Sequence, residues 1–463
     1  MSMNKKAVKS ENELRKVRKQ KKLVSLLTCE ISAISLALLI DTILLYNEFG
    51  DIVTPIVLIC VFSVLALASL IAGLVISNKL SLLERKILNG YYNEVKTGEV
   101  LLKVENLSQH FGSLKAVNNV SFDIKKGEVF GLVGESGCGK TTTGRTIIKL
   151  YQATGGNVYF KGQRICAGPL TYKTAIAEAR AKADSEIKDL NAEIKANPEL
   201  KEANNAKIKQ IKADLKAVVD ENRAQIRAAK QDSKHYDRDL VTQIQMIFQD
   251  PSASLDPRLT VREIISEGLI IKGEKDKEAI NKKVDEMLEL VGLVREHAGR
   301  YQHEFSGGQR QRIGIARAVI MQPEVIIADE PVSALDVSIQ AQVINLLNDL
   351  RHELGLTILF IAHDLSVVKY FSDRIGVMYF GEMVELATSE ELFLNPLHPY
   401  TRSLLSAIPL PDPEYEKTRQ RIIYNPLAEH DYSVDKPIMR EIKHGHFVKC
   451  NEAEYQKYLE ILK

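Results

Sequence analysis

Cysteine is scarce in this sequence, and its spacing matches no metal-binding pattern. There are five cysteines among 463 residues, and no two of them form a CxxC pair. Their odd number argues against a disulfide framework and indicates free thiols in a reducing compartment. Net charge is also nearly absent, because 62 Lys and Arg face 60 Asp and Glu. The charge balance therefore gives no indication of a nucleic-acid partner for the chain as a whole.

Charge is almost missing from two long stretches near the N-terminus. Residues 23–46 carry only two acidic side chains, and residues 52–76 carry no charge. Each stretch exceeds the roughly 20 residues that span a bilayer, and their length and proximity argue against a signal peptide. The basic segment 1–22 favours a cytoplasmic N-terminus. The sequence predicts two transmembrane helices within 23–77; a first helix lying partly in the membrane interface is the alternative.

Glycine is absent from residues 170–235, where Ala, Lys, Glu, Asp and Asn dominate. Apolar residues recur at helical spacing on both sides of Asn197–Pro198. They are Ile187, Leu190 and Ile194 before this break, and Ile208, Ile211, Leu215 and Val218 after it. The pattern predicts a helical hairpin inserted at 170–235, with a solvated, partly disordered insertion as the alternative.

The stretch GESGCGKTTTGR, from Gly134 to Arg145, concentrates glycine and threonine around one lysine. A β-prone apolar segment precedes it and a helix-prone segment follows, so the order is strand, loop, helix. This is the G-x-x-x-x-G-K-[ST] pattern, in which backbone N–H groups and a helix N-terminus converge on phosphate. We expect Lys140 to contact the β- and γ-phosphates of a nucleotide and the Thr141 hydroxyl to face Mg²⁺. The predicted phosphate-binding residues are Gly134, Glu135, Ser136, Gly137, Cys138, Gly139, Lys140, Thr141 and Thr142.

Short apolar segments on both sides of this loop predict β-strands. LLKV (101–104) and VSFDI (120–124) alternate in polarity and predict an antiparallel edge sheet ahead of the loop. NVYFKGQRI (157–165) predicts one further strand of that kind. After the insertion, VTQIQMIFQD (241–250) is apolar and strand-like.

FSGGQRQR places a second glycine-containing turn before a helix. Ser306, Gly307 and Gly308 precede a helical segment that begins at Gln309, so backbone N–H groups again gather at a helix N-terminus. One nucleotide does not need two such cradles in one chain, whereas a head-to-tail dimer does. The motif therefore predicts that residues 306–309 face the γ-phosphate held by a second subunit.

Buried strands end in polar residues at three further places. VIIADEP contains Asp329, which we expect to hold Mg²⁺ through water, and Glu330, which we expect to polarise the attacking water. TILFIAHD contains His363, expected near the γ-phosphate, and IQMIFQ ends in Gln249, expected to sense Mg²⁺ and a neighbouring domain. The turn SALD supplies Asp336 for a dimer seam. The candidate catalytic residues are Glu330, His363 and Gln249, and the candidate Mg²⁺ ligands are Thr141, Gln249 and Asp329.

Together these motifs make the chain similar to ABC-transporter ATPase subunits. The Walker A, Q-loop, signature, Walker B, D-loop and H-loop of that family fall on the residues above, and its adenine-stacking aromatic matches Phe111 in SQHFGSLKAV. Five stretches resemble the oligopeptide/dipeptide importer ATPases, and the GCGK and SGGQ spellings favour the F-type of the two ATPases in that system. They are GESGCGKTTTGR, FQDPSASLDPRLTV, HEFSGGQRQRIGIARA, VMYFGEMVE and NPLHPYTRSLLSAIP. The resemblance covers residues 100–165 and 237–450.

The resemblance implies an α/β P-loop NTPase fold over 100–410, followed by a C-terminal extension over 411–463. That fold has a RecA-like core, an antiparallel β subdomain and a helical subdomain. The implied activity is hydrolysis of ATP, with Mg²⁺, to drive uptake of oligopeptides or dipeptides. The implied partners are a second ATPase subunit, two permease subunits and an extracytoplasmic peptide-binding protein, with no nucleic acid. The ATPase domain would lie on the cytoplasmic face of the plasma membrane.

Three features depart from the family pattern. The membrane hairpin and the insertion are additions, because importer ATPases usually have no spans of their own. Some relatives bind an iron–sulfur cluster near the C-terminus, but residues 396–449 contain no cysteine here. Because the single thiolate of Cys450 cannot hold a cluster, we expect none. Binding of another metal by His444, His446 and Cys450 is a minor alternative.

Three other kinds of protein share parts of the pattern. ATPases that act on DNA or chromosomes also insert helical arms between the phosphate loop and the signature, but their arms are generally far longer, and membrane spans would be out of place. A self-contained exporter half would need more than two spans to form a pathway. The complete catalytic set argues against a regulatory module that does not hydrolyse ATP.

Overall fold

The computed structural model describes residues 98–234, 238–408 and 421–462, together with the single positions 20 and 76. Apart from those two positions, the predicted basic segment 1–22 and membrane hairpin 23–77 lie outside the described residues. Among the residues that are described, none of the helices combines the length and apolar character needed to cross a bilayer. Residues 99–463 form one unit.

The described chain contains both strands and helices, which do not alternate strictly. The strands are β1 (Val100–Phe111), β2 (Leu114–Lys125), β3 (Val129–Val133), β4 (Gly155–Phe160), β5 (Gln163–Pro169), β6 (Ile244–Ile247), β7 (Val325–Asp329), β8 (Thr357–Ala362), β9 (Arg374–Tyr379), β10 (Glu382–Thr388), β11 (Ile438–Lys443) and β12 (His446–Cys450). The helices are α1 (Lys140–Ile147), α2 (Leu170–Ala196), α3 (Lys201–Lys234), α4 (Arg238–Val241), α5 (Pro251–Ser254), α6 (Val261–Ile271), α7 (Lys277–Leu290), α8 (Gly307–Val319), α9 (Val337–Leu354), α10 (Leu365–Phe371), α11 (Ser389–Leu394), α12 (Pro399–Ser406), α13 (Pro426–Glu429) and α14 (Glu452–Ile461).

In the described chain, eight strands form the larger sheet, in the order β11-β12-β10-β9-β3-β8-β7-β6. The strands from β9 to β6 in that order run parallel. Every residue of β3, β7 and β8 is buried, as expected for a parallel sheet that helices cover on both faces. Because parallel strands end at the same edge, the polar residues that follow β3, β6, β7 and β8 meet there.

A smaller antiparallel sheet has the order β2-β1-β4-β5. The two strands predicted first pair with each other, with Leu102 opposite Ile124. The prediction of one strand over 157–165 is wrong, because this segment forms both β4 and β5. Lys161 and Gly162 between them have φ angles of 52° and 74°, and two residues with positive φ reverse a hairpin tightly. The turn is hard to see in the sequence because lysine is an unusual residue at its first position.

Residues 170–234 form two long helices, α2 and α3, which run antiparallel. Asn204 on α3 donates to the Glu193 carboxylate on α2 at 3.0 Å. The far end of α3 returns to the sheet, where Asp232 pairs with Arg164 of β5 at 2.6 Å. Between the helices, the Asn197 side chain accepts a hydrogen bond from the Glu199 backbone N–H. We call this helical pair the arm; both of its ends lie beside β5.

The predicted apolar stripe of the arm is half-buried, with one exception. Val218 is 37% exposed, whereas the neighbouring Val219 is only 8% exposed. A helix turns about 100° per residue, so a stripe traced in steps of three and four drifts by one position over several turns. Val219 therefore takes the inward place that the sequence pattern gave to Val218.

Several helices follow the arm and precede β7 in the chain, and the last of them, α8, begins with the second glycine-containing turn. α6 begins with a reciprocal cap, because the Thr260 side chain accepts from the Glu263 N–H while the Glu263 carboxylate accepts from the Thr260 N–H. The inward faces of α6 and α7 bury Ile265, Val284 and Leu288. This packing positions α8 and the 306–309 turn at its start.

The C-terminal region extends the larger sheet through β10, where Val448 of β12 lies opposite Glu385. Glu385 is fully buried and accepts the backbone N–H groups of Leu397 and His398. Its carboxylate also lies 2.8 Å from Nε2 of His446. A buried carboxylate is stable only with such partners, so these bonds fasten β12 and the start of α12 to the sheet.

Candidate nucleotide-binding site

The loop between β3 and α1, residues 134–139, requires glycine at both ends. Gly134 and Gly139 have φ angles of 150° and 105°. A Cβ atom at either position would lie 2.2 Å from a backbone oxygen, that of Met378 or Ala116 respectively. Only glycine therefore lets this phosphate loop curl so tightly. Since α1 begins at Lys140, the helix N-terminus and the loop N–H groups face the same place.

Lys140 is held inside the phosphate loop. The residue is only 4% exposed, and its Nζ donates to the carbonyl oxygens of Gly134 at 2.8 Å and Glu135 at 2.9 Å. The ammonium group is thus fixed among the backbone groups that would surround a phosphate. Cys138 is buried beside it, and burial raises the pKa of that thiol. On the outer rim, Glu135, Ser136 and Gly137 are exposed, whereas Thr142 is half-buried.

Thr141 on α1 and Asp329 at the end of β7 contact each other directly. The threonine Oγ1 donates to Asp329 Oδ1 at 2.7 Å. Within the described chain, Asp329 Oδ2 accepts no hydrogen bond and lies 3.8 Å from the Arg145 guanidinium. Burial raises the pKa of Asp329, and the bond from Thr141 partly opposes this. A hydroxyl and a carboxylate side by side are oxygen ligands of the kind that Mg²⁺ prefers.

Glu330 follows Asp329 with its backbone in the left-handed region, at a φ of 44°. This conformation is uncommon for a residue with a side chain, and the Glu330 N–H bond to the Ile361 oxygen at 2.9 Å stabilises it here. The carboxylate Oε2 lies 3.1 Å from His363 Nδ1 and accepts from Gln249 Nε2 at 3.2 Å. One carboxylate oxygen of Glu330 thus contacts both the His363 imidazole and the Gln249 amide. Side chains that follow β6 and β8 therefore aim the Glu330 carboxylate.

The signature turn, residues 306–309, belongs to a separate group at the start of α8. The Ser306 hydroxyl accepts from the Gln309 N–H at 3.3 Å, and the Gln309 side chain accepts from the Ser306 N–H at 3.0 Å. Gly308 has no room for a side chain, because a Cβ would lie 2.6 Å from Ile339. The carbonyl of Asp336 accepts the Ile339 N–H where α9 begins. In the described chain, neither Ser306 nor Gln309 hydrogen-bonds to the phosphate loop.

Phe111, the predicted adenine-stacking residue, ends β1 and is 43% exposed. Its ring meets Tyr151 edge-on, with the two centroids 5.3 Å apart. The Tyr151 hydroxyl in turn lies 3.5 Å from Arg145. The exposed ring of Phe111 is therefore linked through two side chains to the residues around Asp329.

Sequence reasoning missed two residues that contact this site. Arg145 lies four positions after Thr141 on α1, so the two share a helix face, and that spacing was a signal that could have found it. Tyr400 lies 265 residues from Glu135, yet its buried hydroxyl accepts the Glu135 N–H at 3.0 Å. No local pattern marks such a contact.

The three residues of the minor metal alternative do not converge. His446 is buried against Glu385, whereas the His444 side chain is fully exposed. Burial raises the pKa of the Cys450 thiol to about 11. Across the described ranges, no three His, Cys, Asp or Glu side chains are grouped closely enough to hold a metal ion. The geometry gives no support to a metal site in the C-terminal region.

Comparison with known proteins identifies the family of this chain. Residues 117–236 and 215–333 match the ABC transporter family model, and residues 384–434 match the model for the C-terminal region of oligopeptide/dipeptide transporters. The oligopeptide transport ATP-binding protein OppF of Bacillus subtilis (strain 168) is 50% identical over 365 residues, which cover 78% of this chain and 99% of that protein. The chain belongs to the oligopeptide/dipeptide family of ABC-transporter ATPases.

Two further relatives match this ABC-transporter ATPase over a similar share of its length. The oligopeptide transport ATP-binding protein AmiF of Streptococcus pneumoniae serotype 4 (strain ATCC BAA-334 / TIGR4) is 46% identical and covers 78% of this chain and 98% of its own length. The dipeptide transport ATP-binding protein DppF of Lactococcus lactis subsp. cremoris (strain MG1363) is 45% identical over 77% of this chain and 96% of its own. These matches confirm the family and the α/β P-loop ATPase fold that the motifs imply.

Proposed function

We propose that this chain is the ATP-binding and ATP-hydrolysing subunit of an importer that takes up oligopeptides or dipeptides through separate permease subunits. The names of the relatives and the C-terminal family model support that class of cargo. One observation carries the proposal: the Thr141–Asp329 and Gln249–Glu330–His363 bonds gather five side chains at the carboxyl ends of parallel strands. Phosphates bind at that edge in folds of this kind.

ATP is the substrate, and the residues of the phosphate loop are proposed to bind it. The loop N–H groups and Lys140 hold the β- and γ-phosphates, and Phe111 stacks on adenine. Thr141, Asp329 and Gln249 would hold Mg²⁺; Asp329 fits this role because its Oδ2 is buried without a hydrogen bond in the described chain. Bound there, the ion would neutralise phosphate charge.

Glu330 is proposed to accept the proton of the attacking water. The bonds from Gln249 and His363 fix the direction of its carboxylate, and His363 also reaches the γ-phosphate. Fixed N–H groups and the Lys140 ammonium then stabilise the charge that spreads over the transferring phosphoryl group, which is the main source of catalysis in such sites.

A second ATPase subunit is proposed to complete the site. Among the described residues, Ser306 and Gln309 hydrogen-bond to each other rather than to this chain's own phosphate loop. The N–H groups of the signature turn are proposed to serve a nucleotide held by the partner. Asp336 lies at the seam, and closure passes through Gln249 to the permeases. The intact Glu330 and Ser306–Gln309 turn allow this chain to complete competent sites on both sides of the pair.

Purification of the tagged full chain from its native membranes tests this function. We expect two permease subunits and a second ATPase to co-purify, and ATP hydrolysis to rise when a peptide-loaded extracytoplasmic binding protein is added. Deleting the chain should stop peptide uptake. Co-purification of DNA together with DNA-stimulated hydrolysis would contradict the importer and favour the ATPase that acts on chromosomes, an alternative that the relatives do not favour.

We propose that 23–77 crosses the membrane twice, with 1–22 and the ATPase domain on the cytoplasmic face of the plasma membrane. The support is the length of the two stretches with little or no charge. Expressed without permeases, the full chain should stay in membranes through an alkaline wash, whereas a chain starting at residue 98 should be released. The matched control carries Leu67→Arg and Leu70→Arg, because inserting an arginine at the centre of a membrane helix costs roughly 3 kcal/mol. Release of the unaltered full chain would disprove the hairpin.

We propose that the insertion at 170–235 is an addition to the ATPase domain at 100–410, as 411–463 is its C-terminal extension. The residues gathered at the nucleotide site all lie outside the arm, whose two ends meet beside β5. Replacing residues 178–226 by a short Gly/Ser turn should therefore change ATP affinity by no more than about twofold, since altering a loop length costs little. Filter binding of labelled ATP measures this. A tenfold loss of affinity would show that the arm supports the site.

A further inference from the structure

Three residues that follow His363 in the chain contact the phosphate loop. The carbonyl of Met378 packs against Gly134, where a Cβ atom would lie 2.2 Å from its oxygen. The Gly381 N–H donates to the Cys138 carbonyl oxygen at 2.9 Å. A third contact comes from Tyr400, whose hydroxyl accepts the Glu135 N–H at 3.0 Å. The first two belong to the β9–β10 hairpin, whereas Tyr400 belongs to the C-terminal region, 384–434, that matches oligopeptide/dipeptide transporters.

A single residue, Glu135, links Tyr400 to Lys140 through its two backbone groups. The N–H of Glu135 bonds to the Tyr400 hydroxyl, and the carbonyl of the same residue bonds to Lys140 Nζ at 2.9 Å. On either side, Gly134 and Gly137 have φ angles of 150° and 83°, so their missing side chains leave this stretch weakly constrained. A fixed hydroxyl at Glu135 therefore restrains the carbonyl that holds the Lys140 ammonium.

Tyr400 is itself rigidly placed. Only 1% of the residue is exposed, and its ring packs against Tyr379 at 4.4 Å and Tyr424 at 5.5 Å between centroids. Its N–H donates to Nδ1 of His398 at 3.1 Å, and burial lowers the pKa of His398 to about 3, so that this nitrogen remains an acceptor. Burial also raises the pKa of Tyr400, which keeps its hydroxyl neutral.

We propose that Tyr400 is a positioning residue of the nucleotide site: its hydroxyl holds the Glu135 amide and thereby the shape of the phosphate loop. The C-terminal region then acts on ATP affinity directly. The inference rests on the proposed function, in which the loop binds ATP. A loop that is already ordered loses less conformational freedom when its ligand binds, and affinity rises accordingly.

The test is Tyr400→Phe in the full chain, which removes the hydroxyl and keeps the ring. Loss of one neutral hydrogen bond should weaken binding of ATP and ADP roughly three- to tenfold. The KM for ATP should rise by the same factor, while kcat at saturating ATP stays within about twofold, because the bond is present before and after the reaction. Fluorescence of a trinitrophenyl-ATP probe gives the affinity, and the rise in unfolding temperature on adding ADP should shrink.

Two further variants serve as controls for this result. Tyr458→Phe removes another buried hydroxyl, on α14, and should leave ATP affinity unchanged. Lys140→Ala should abolish binding and so tests the proposed function by itself. Unchanged affinity in Tyr400→Phe beside lost affinity in Lys140→Ala would overturn the inference alone. Unchanged affinity in Lys140→Ala would overturn both, and a fall in kcat without a rise in KM would also count against a positioning role.

Discussion

Glutamine in place of Glu330 should leave ATP bound and almost stop its hydrolysis. The amide has the shape of the carboxylate and can stay between Gln249 and His363, which lie 3.2 and 3.1 Å from Oε2. It cannot accept a proton from the attacking water. Loss of a general base typically lowers turnover by about 10² to 10⁴. Phosphate release from the assembled transporter measures turnover, and filter binding of labelled ATP measures occupancy.

Glu324→Gln is the matched control for this experiment. Glu324 immediately precedes β7, whose other end carries Asp329, and it pairs at the surface with Lys161 at 2.6 Å. Surface pairs contribute little, so turnover should be unchanged. Normal ATP hydrolysis by the Glu330→Gln protein would remove Glu330 from its proposed role.

Aspartate in place of Gly307 should stop turnover of the paired ATPases without weakening ATP binding by this chain's own loop. A Cβ at Gly307 would lie 3.6 Å from Leu335, an ordinary contact. A carboxylate in the first turn of α8 also favours the helix, so the fold should survive. The new charge would face the γ-phosphate held by the partner. Two unit charges about 5 Å apart repel by roughly 3 kcal/mol at an effective dielectric constant near 20, which is on the order of a hundredfold in rate.

Gly307→Asn separates charge from size, because asparagine has nearly the same shape as aspartate. We expect the asparagine protein to keep most of its turnover and the aspartate protein to lose it. Equal losses would mean that bulk rather than charge matters at the signature turn. If the chain hydrolyses ATP at full rate as a lone monomer, with Ser306 and Gly307 dispensable, the shared site is disproved.

Contiguous motifs allowed most residues of the candidate nucleotide site to be predicted, and the structure brings several of them together. The phosphate loop needs glycines, a lysine and a helix start within ten residues, so a local pattern contains nearly all of its chemistry. Asp329 and His363 were recognisable because each ends or follows a short apolar strand. Their mutual proximity follows from the parallel sheet alone, since the carboxyl ends of its strands share one edge.

Contacts between distant parts of the chain could not be anticipated in the same way. The Tyr400–Glu135 bond depends on how α12 packs against β9, and no spacing in the sequence encodes that. The turn at Lys161–Gly162 was missed because left-handed lysine has no strong signature. β11 and β12 were not expected in the larger sheet, because antiparallel pairing to β10 is decided by tertiary packing rather than local propensity.

The pairing of β12 with β10 has a consequence for solubility. Without β11 and β12, the apolar strand β10 would be the open border of the larger sheet, and open borders recruit other chains into aggregates. Among the described strands, the outermost is instead β11, which carries Arg440, Glu441 and Lys443 among its six residues, and the opposite border, β6, is only four residues long. Charge and shortness both discourage pairing between molecules. The C-terminal segment thus covers the edge of β10 with a charged strand, which should discourage edge-to-edge pairing whatever its part in transport.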